Sequence, residues 1–302
     1  EGTENFMVDF KDIELKDKAW IDPLLKMSDF KGSEYVFSNN YNWKDIYHIQ
    51  VAQVGGYYCV RSGIEERSYL YPSGSGDIAP VIEALIQDAK ERECPFQMHG
   101  IVKENVALLE TLFPGRFAFE EYRDGFDYIY NTVDLATLSG KKYHGKRNHI
   151  TKFKQNHPDW VYEPITAENI EECRAMNKIW CEKQGNCNDP SLKQELCAVK
   201  KALDHFFDEG LKGGLICTKE EGIVAYSIGA PLSSDTFIVH IEKAFAEVQG
   251  AYPIINQEFV RHNCMDYKYV NREDDVGDEG LRKAKLSYKP AILLEKYTAT
   301  LK

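Results

Sequence analysis

The amino-acid sequence predicts an α/β protein with mixed sheets, made of two copies of one unit. Three observations carry this. The chain has 302 residues, more than one average domain holds, so two domains of roughly 150 residues are expected. Hydrophobic residues make up 43% of it, with 18 Tyr and 15 Phe, enough for packed cores and too many for a disordered chain. Strand and helix signals also recur in one order in each half: two strands, a glycine loop, a long helix, a strand, a short helix and a strand.

In the first half, 55–60 and 68–71 are strand-like, and PSGSGD leads into a helical run over 78–92. A strand at 95–99, a helix at 104–111 and strands at 117–122 and 126–131 follow. In the second half, 213–218 repeats the double-glycine strand, and 223–231 and 236–245 are its successors. Then come Gly250, a helix over 253–262, a strand at 267–270, an acidic segment and a last strand at 291–297. Boundaries follow from this order: a first domain over 1–139, a basic linker helix over 140–160, and a second domain over 161–302.

Composition removes several classes of function. A formal net charge of -11 disfavours a protein whose whole surface tracks nucleic acid. The linker is the exception. Between Lys141 and Pro158 it has no acid, and Lys141, Lys142, Lys146, Arg147 and Lys152 mark it as either a solvated basic face or a polyanion patch. The eight cysteines form no CxxC pair, so free thiols in a reducing compartment are expected and no metal site is. The stretch EGTENFMVDFKDIEL lacks the basic and apolar regions of a signal peptide, and no apolar run approaches bilayer length. A soluble, cytoplasmic protein is the expectation.

Three constellations can carry chemistry. On the strand-like run TFIVHIEKAF, a period of two puts His240 and Glu242 on one face and Lys243 on the other. A histidine and a carboxylate side by side suit a general base and its partner. Lys243 is read as structural or solvent-facing. Gly250 precedes a helix with Pro253 early in it, a turn that offers backbone N–H groups to an anion, and Asn256 and Gln257 lie one turn on, as ligand contacts or as surface amides.

The third is NREDDVGDEGLRKAKLSYKP, residues 271–290. Its ligand positions do not match an EF-hand. Asp278 is placed to cap a helix reaching Tyr288, with Leu281, Ala284 and Tyr288 as one stripe and Arg282 and Lys285 as neighbours. The crowding of Asn271, Arg272, Glu273, Asp274 and Asp275 before that helix is left unexplained by helix electrostatics, and reads as a charged network lining a pocket.

The 271–290 run resembles the signature of the phosphatidylglycerol lysyltransferase C-terminal domain family. His240-Ile-Glu-Lys243, Gly250-Ala-Tyr252, Asn256-Gln-Glu258 and the linker Gly140-Lys-Lys-Tyr-His-Gly-Lys-Arg-Asn148 match it in order and spacing. The resemblance covers most of the chain from about residue 20. It implies two tandem GNAT-like acyltransferase folds and transfer of an aminoacyl group from charged tRNA, though the transmembrane half of the membrane-bound members is lacking here. At the loop where acetyl-CoA users bind pyrophosphate, this chain carries Glu247-Val-Gln-Gly-Ala-Tyr252, an acid at the first place and a tyrosine at the last.

The leading expectation is therefore an acyl- or aminoacyltransferase with no certain cofactor. Its donor is an aminoacyl-tRNA or acyl-CoA, and its acceptor a small molecule or lipid headgroup. Glu242 or His240 takes the proton. Tyr252, Asn256, Asn271, Arg272, Glu273, Asp274, Asp275, Arg282, Lys285 and Tyr288 line the substrate site, and the basic linker meets the tRNA. A CoA-dependent N-acyltransferase and a non-catalytic binding member of the fold are the alternatives.

Overall fold

The computed structural model describes residues 8–64, 67–185 and 187–302, so the first part of the amino-terminal stretch read above lies outside the described residues. The chain divides into two compact units. One comprises the residues up to Asp127 with Asp274–Asp278 and Leu293–Lys302; the other comprises Tyr128–Glu273 and Glu279–Ile292. These differ from the boundaries expected at 139 and 160. The cause is that each sheet takes in a strand from the other half of the sequence.

In the first unit the sheet runs Lys11–Asp12, Gln50–Val54, Tyr57–Ser62, Ser68–Leu70, Gln97–Ile101, Tyr297–Leu301 and Phe117–Glu121. Ser68–Leu70 and Gln97–Ile101 pair in parallel, and the helix Ala79–Glu91 makes the crossover such a pair needs. Alternation along Tyr57–Ser62 feeds two cores. Tyr57 and Cys59 pack with Ile82, Leu85, Met98 and Phe117, while Tyr58 and Val60 pack with Ile21, Phe37 and Val51.

The other sheet, centred on the second unit, runs Val161–Pro164, Lys212–Thr218, Gly222–Pro231, Thr236–Ala244, Tyr269–Asn271, Asp127–Asn131 and Ile292–Leu294. Along its seven-strand path its order matches that of the first sheet, with Asp127–Asn131 standing where Tyr297–Leu301 stands in the other; the first sheet has in addition Ser73–Gly74 against Tyr57–Ser62. The single strand expected over 291–297 is accordingly two: Ile292–Leu294 closes the second sheet and Tyr297–Leu301 enters the first. The helix Ala251–Asn263 covers one face of this sheet, and Ile170–Lys183 packs on the strands Gly222–Pro231 and Thr236–Ala244. The helix Pro190–Asp204 begins with Pro190 in its first turn and Asp189 accepting the Leu192 N–H, a conventional start.

Candidate functional site

The strand Thr236–Ala244 is irregular at its middle. Opposite Gly222–Pro231, Ile228 faces Ile241 and Gly229 faces Val239, so His240 is the extra residue of a β-bulge. A side chain at Gly229 would meet the Ile238 carbonyl oxygen at 2.1 Å, so only glycine permits this approach. On its other edge the strand pairs in parallel with Tyr269–Asn271, and that ladder ends at Ile238 and Asn271 although the strand continues to Ala244. The two strands therefore part at His240, and the residues after Asn271 fold back onto the parted section.

One histidine–carboxylate contact and one ion pair form there. His240 Nδ1 lies 2.7 Å from Glu273 Oε1. Arg272 Nη2 donates to Glu242 Oε2 at 2.7 Å, and Asn256 Nδ2 donates to Glu242 Oε1 at 3.1 Å. Glu273 has φ +63°, left-handed for a residue with a side chain, and its neighbours hold it so. Its N–H donates to Asn271 Oδ1 at 2.7 Å, and its carbonyl accepts from the Tyr128 N–H at 3.0 Å. Lys285 Nζ donates to the Arg272 carbonyl, and the Tyr130 hydroxyl donates to the Lys285 carbonyl, both at 2.6 Å.

Electrostatics keep Arg272 charged. Burial is the largest single influence and works against its charge, but the Glu242 carboxylate together with Tyr130 and Tyr288 more than offsets it, so its pKa is raised. Its guanidinium lies over the rings of Tyr288 and Tyr130, at 4.7 and 5.6 Å. Arg272 Nη1 and Asn256 Oδ1 are buried with no hydrogen-bond partner among the described residues. Lys146 leaves the basic helix face to donate to Ser287 Oγ at 2.8 Å and to stack on Tyr288 at 3.9 Å. Burial, and then the Arg272 charge, hold its pKa down.

These contacts bring together His240, Glu242, Asn256, Asn271, Arg272, Glu273, Lys285 and Tyr288 in the second unit. They also redistribute roles. Glu242 has both oxygens engaged by cation and amide, whereas His240 is held through Nδ1 by Glu273. Asp274 and Asp275 belong to the first unit. There Asp275 is buried, bonds Arg123 Nη1 at 3.2 Å and accepts the Gly277 N–H at 2.9 Å, shaping the turn. Arg282 is half-buried on the helix Glu279–Ser287, and of the expected stripe Leu281 and Ala284 are exposed while Tyr288 is buried.

Other expectations change more. Gly250 has φ +82°, and a Cβ there would meet the His149 carbonyl oxygen at 2.2 Å, so this glycine serves helix packing. The Ala251 N–H already donates to the Val248 carbonyl at 3.1 Å, and Pro253 has none, so the expected anion-binding turn has few donors to offer. Gln257 is buried and donates to the Ala136 carbonyl at 3.1 Å, and with Asn256 on Glu242 neither amide is a surface group. Tyr252 accepts from Trp180 Nε1 at 3.4 Å, and burial raises its hydroxyl pKa. Lys243, expected as structural or solvent-facing, is buried against Trp180 at 3.8 Å and paired with Glu195. In the basic island Lys141, Lys142 and Lys152 are exposed, while Arg147 binds the carbonyls of Leu138 and Gly140.

Tyr128 and Tyr130 were not marked by the sequence as site residues. They arrive on a strand from the first half, where nothing local points to the second sheet. Among the described residues no group of three or more His, Cys, Asp or Glu is placed to hold a metal ion, and no helix is long and apolar enough to cross a membrane.

A family model described as phosphatidylglycerol lysyltransferase, C-terminal, matches residues 25–300. The chain belongs to that family. A conserved protein of unknown function from Bacteroides thetaiotaomicron is similar over its whole length: 41% identity, 98% of this chain and 100% of that one, TM-score 0.94. The structure of L-PGS from Bacillus licheniformis shares the fold at 16% identity, with 90% and 93% of the chains covered and a TM-score of 0.59. An uncharacterised protein of Mycoplasmoides gallisepticum is 25% identical over 174 residues, 57% of this chain and 54% of its own. The chain thus spans about half the length of the curated relative it matches. As a member of the lysyltransferase C-terminal family it has the mixed α/β architecture that the sequence predicts.

Proposed function

We propose that the chain is an acyltransferase of the aminoacyl type and that its second unit carries the reaction. One observation carries the reading: the His240–Glu273 contact at the bulge where the strands part. A carboxylate on Nδ1 favours the tautomer with its proton there, which makes Nε2 the basic nitrogen. An amine or hydroxyl acceptor gives its proton to Nε2 as it bonds to the donor's carbonyl carbon. The ester C–O bond breaks, and His240 returns the proton to the leaving hydroxyl. The Arg272–Glu242–Asn256 clamp fixes the floor of this site.

Family membership favours an aminoacyl-tRNA as donor, with its terminal ribose hydroxyl as leaving group and Lys141, Lys142 and Lys152 near its phosphates. The acceptor is a small molecule or a lipid headgroup. An acyl-CoA donor has less support, because Glu247 stands, paired with Lys183, at the loop where a pyrophosphate would lie.

The test is transfer of labelled aminoacyl groups from a mixed charged-tRNA pool to phosphatidylglycerol vesicles and to soluble amines. Transfer by the wild-type chain well above a His240→Ala variant supports the reading. Equal, background-level loss of label from both sinks it.

A further inference from the structure

Away from the bulge, a cavity of about 310 Å³ opens in the first unit beside the start of the helix Ala79–Glu91. That size is at the small end of ligand sites, roughly 300–1,000 Å³, and suits a metabolite rather than a nucleotide. Phe30, Tyr57 and Tyr71 line it, with Ser28, Asp77 and Asn105 as polar members. Phe30 and Tyr71 meet edge to face with ring centroids 6.1 Å apart. The Tyr57 hydroxyl donates to the Gly76 carbonyl at 2.8 Å, and Asp77 Oδ1 accepts the Ala79 N–H at 3.1 Å, so both side chains are held in place. Asn105 Nδ2 is buried and has no hydrogen-bond partner among the described residues.

The chemistry of these groups is complementary to one kind of molecule. Aromatic faces carry partial negative charge and attract organic cations, and a fixed carboxylate adds a full charge beside them. A buried amide N–H without a partner is costly, and an acceptor oxygen on a ligand would relieve it. At Gly76 no heavy atom lies within 4 Å of where a side chain would begin, which leaves space beside the carboxylate.

We infer that this cavity is a second ligand site, for a small organic cation that also carries a hydroxyl or carbonyl oxygen, an amino alcohol being the simplest case. The cation lies against the aromatic rings and Asp77, and its oxygen accepts from Asn105. The inference stands apart from the acyl-transfer reading, since it uses no residue of the second unit.

Calorimetry and chemical-shift mapping on the full chain test it with three probes: choline, the uncharged tert-butyl analogue of choline, and tetramethylammonium. Choline is expected to bind at least about tenfold more tightly than the uncharged analogue, with shifts at Phe30, Tyr57 and Asn105. Asp77→Asn, whose amide oxygen still accepts the Ala79 N–H, is expected to remove that preference. Asn105→Ala is expected to erase the preference for choline over tetramethylammonium. Phosphatidylcholine vesicles that pellet the chain would mark a headgroup as the source, and binding of free choline alone would mark a soluble one. No saturable choline binding, equal binding of the uncharged analogue, or shifts elsewhere would overturn the inference.

Discussion

His240 Nδ1 and Glu273 Oε1 lie 2.7 Å apart although 33 residues separate them in sequence. Two local irregularities create the contact. The bulge at His240 parts its strand from the neighbouring one, and the left-handed backbone of Glu273 turns its side chain back toward the gap. Both irregularities are costly for an ordinary sheet. They coincide at one histidine and one carboxylate, the arrangement on which the proposed base rests.

The Arg272–Glu242 pair should behave as a buried ion pair. The two side chains are only 11% and 15% exposed. Arg272→Met leaves the Glu242 carboxylate without its cation and is expected to cost about 3–5 kcal/mol, read as a lower urea midpoint. Adding Glu242→Gln to that variant should restore part of the loss, because the uncompensated charge is then gone. A double variant as unstable as the sum of the singles would contradict this coupling.

Lys296 should be as sensitive. Its ammonium is buried between Glu34 at 2.7 Å and Asp127 at 3.0 Å, and those carboxylates raise its pKa despite burial. Lys296→Met leaves two acids facing each other, and a loss of about 3–5 kcal/mol is expected. Lys296 immediately precedes the strand Tyr297–Leu301, so hydrogen exchange in that strand should accelerate first.

His99 sets an acid limit on stability. Burial, then the Lys296 charge, push its pKa from 6.5 down to about 4, while Ser68 Oγ lies 2.6 Å from Nδ1. Between those values the unfolded chain binds the proton and the folded chain does not. The histidine's contribution is therefore complete above pH 6.5 and is lost as pH falls toward 4. His99→Asn should flatten that part of the pH dependence in unfolding curves. An unchanged slope would assign the acid sensitivity to other groups.

The fold was legible where periodicity was strong. The strand Thr236–Ala244, its partners, and the helices Ala79–Glu91 and Ala251–Asn263 fall within a few residues of expectation. The strand exchange was not legible, because 291–297 has the pattern of one apolar strand and nothing local marks the break before Tyr297. At the site, His240, Glu242, Asn256, Arg272 and Glu273 were all named. Their pairing was not, since an ideal alternation has no place for a bulge, and a run of acids does not say which of them turn to which unit. Lys146 shows the same limit: on a helix of basic residues, only the packed structure reveals that this one turns to Tyr288.

The most direct test of the central claim is the pH dependence of single-turnover acyl transfer for wild type, His240→Ala, Glu273→Gln and the double variant. If His240 is the base that Glu273 orients, each single change should slow transfer by about 10²–10⁴-fold, and the double should be no slower than His240→Ala. The wild-type profile should rise with deprotonation of one group, and His240→Ala should abolish that rise. Independent, multiplicative losses, or a His240→Ala variant with the wild-type profile, would contradict the account.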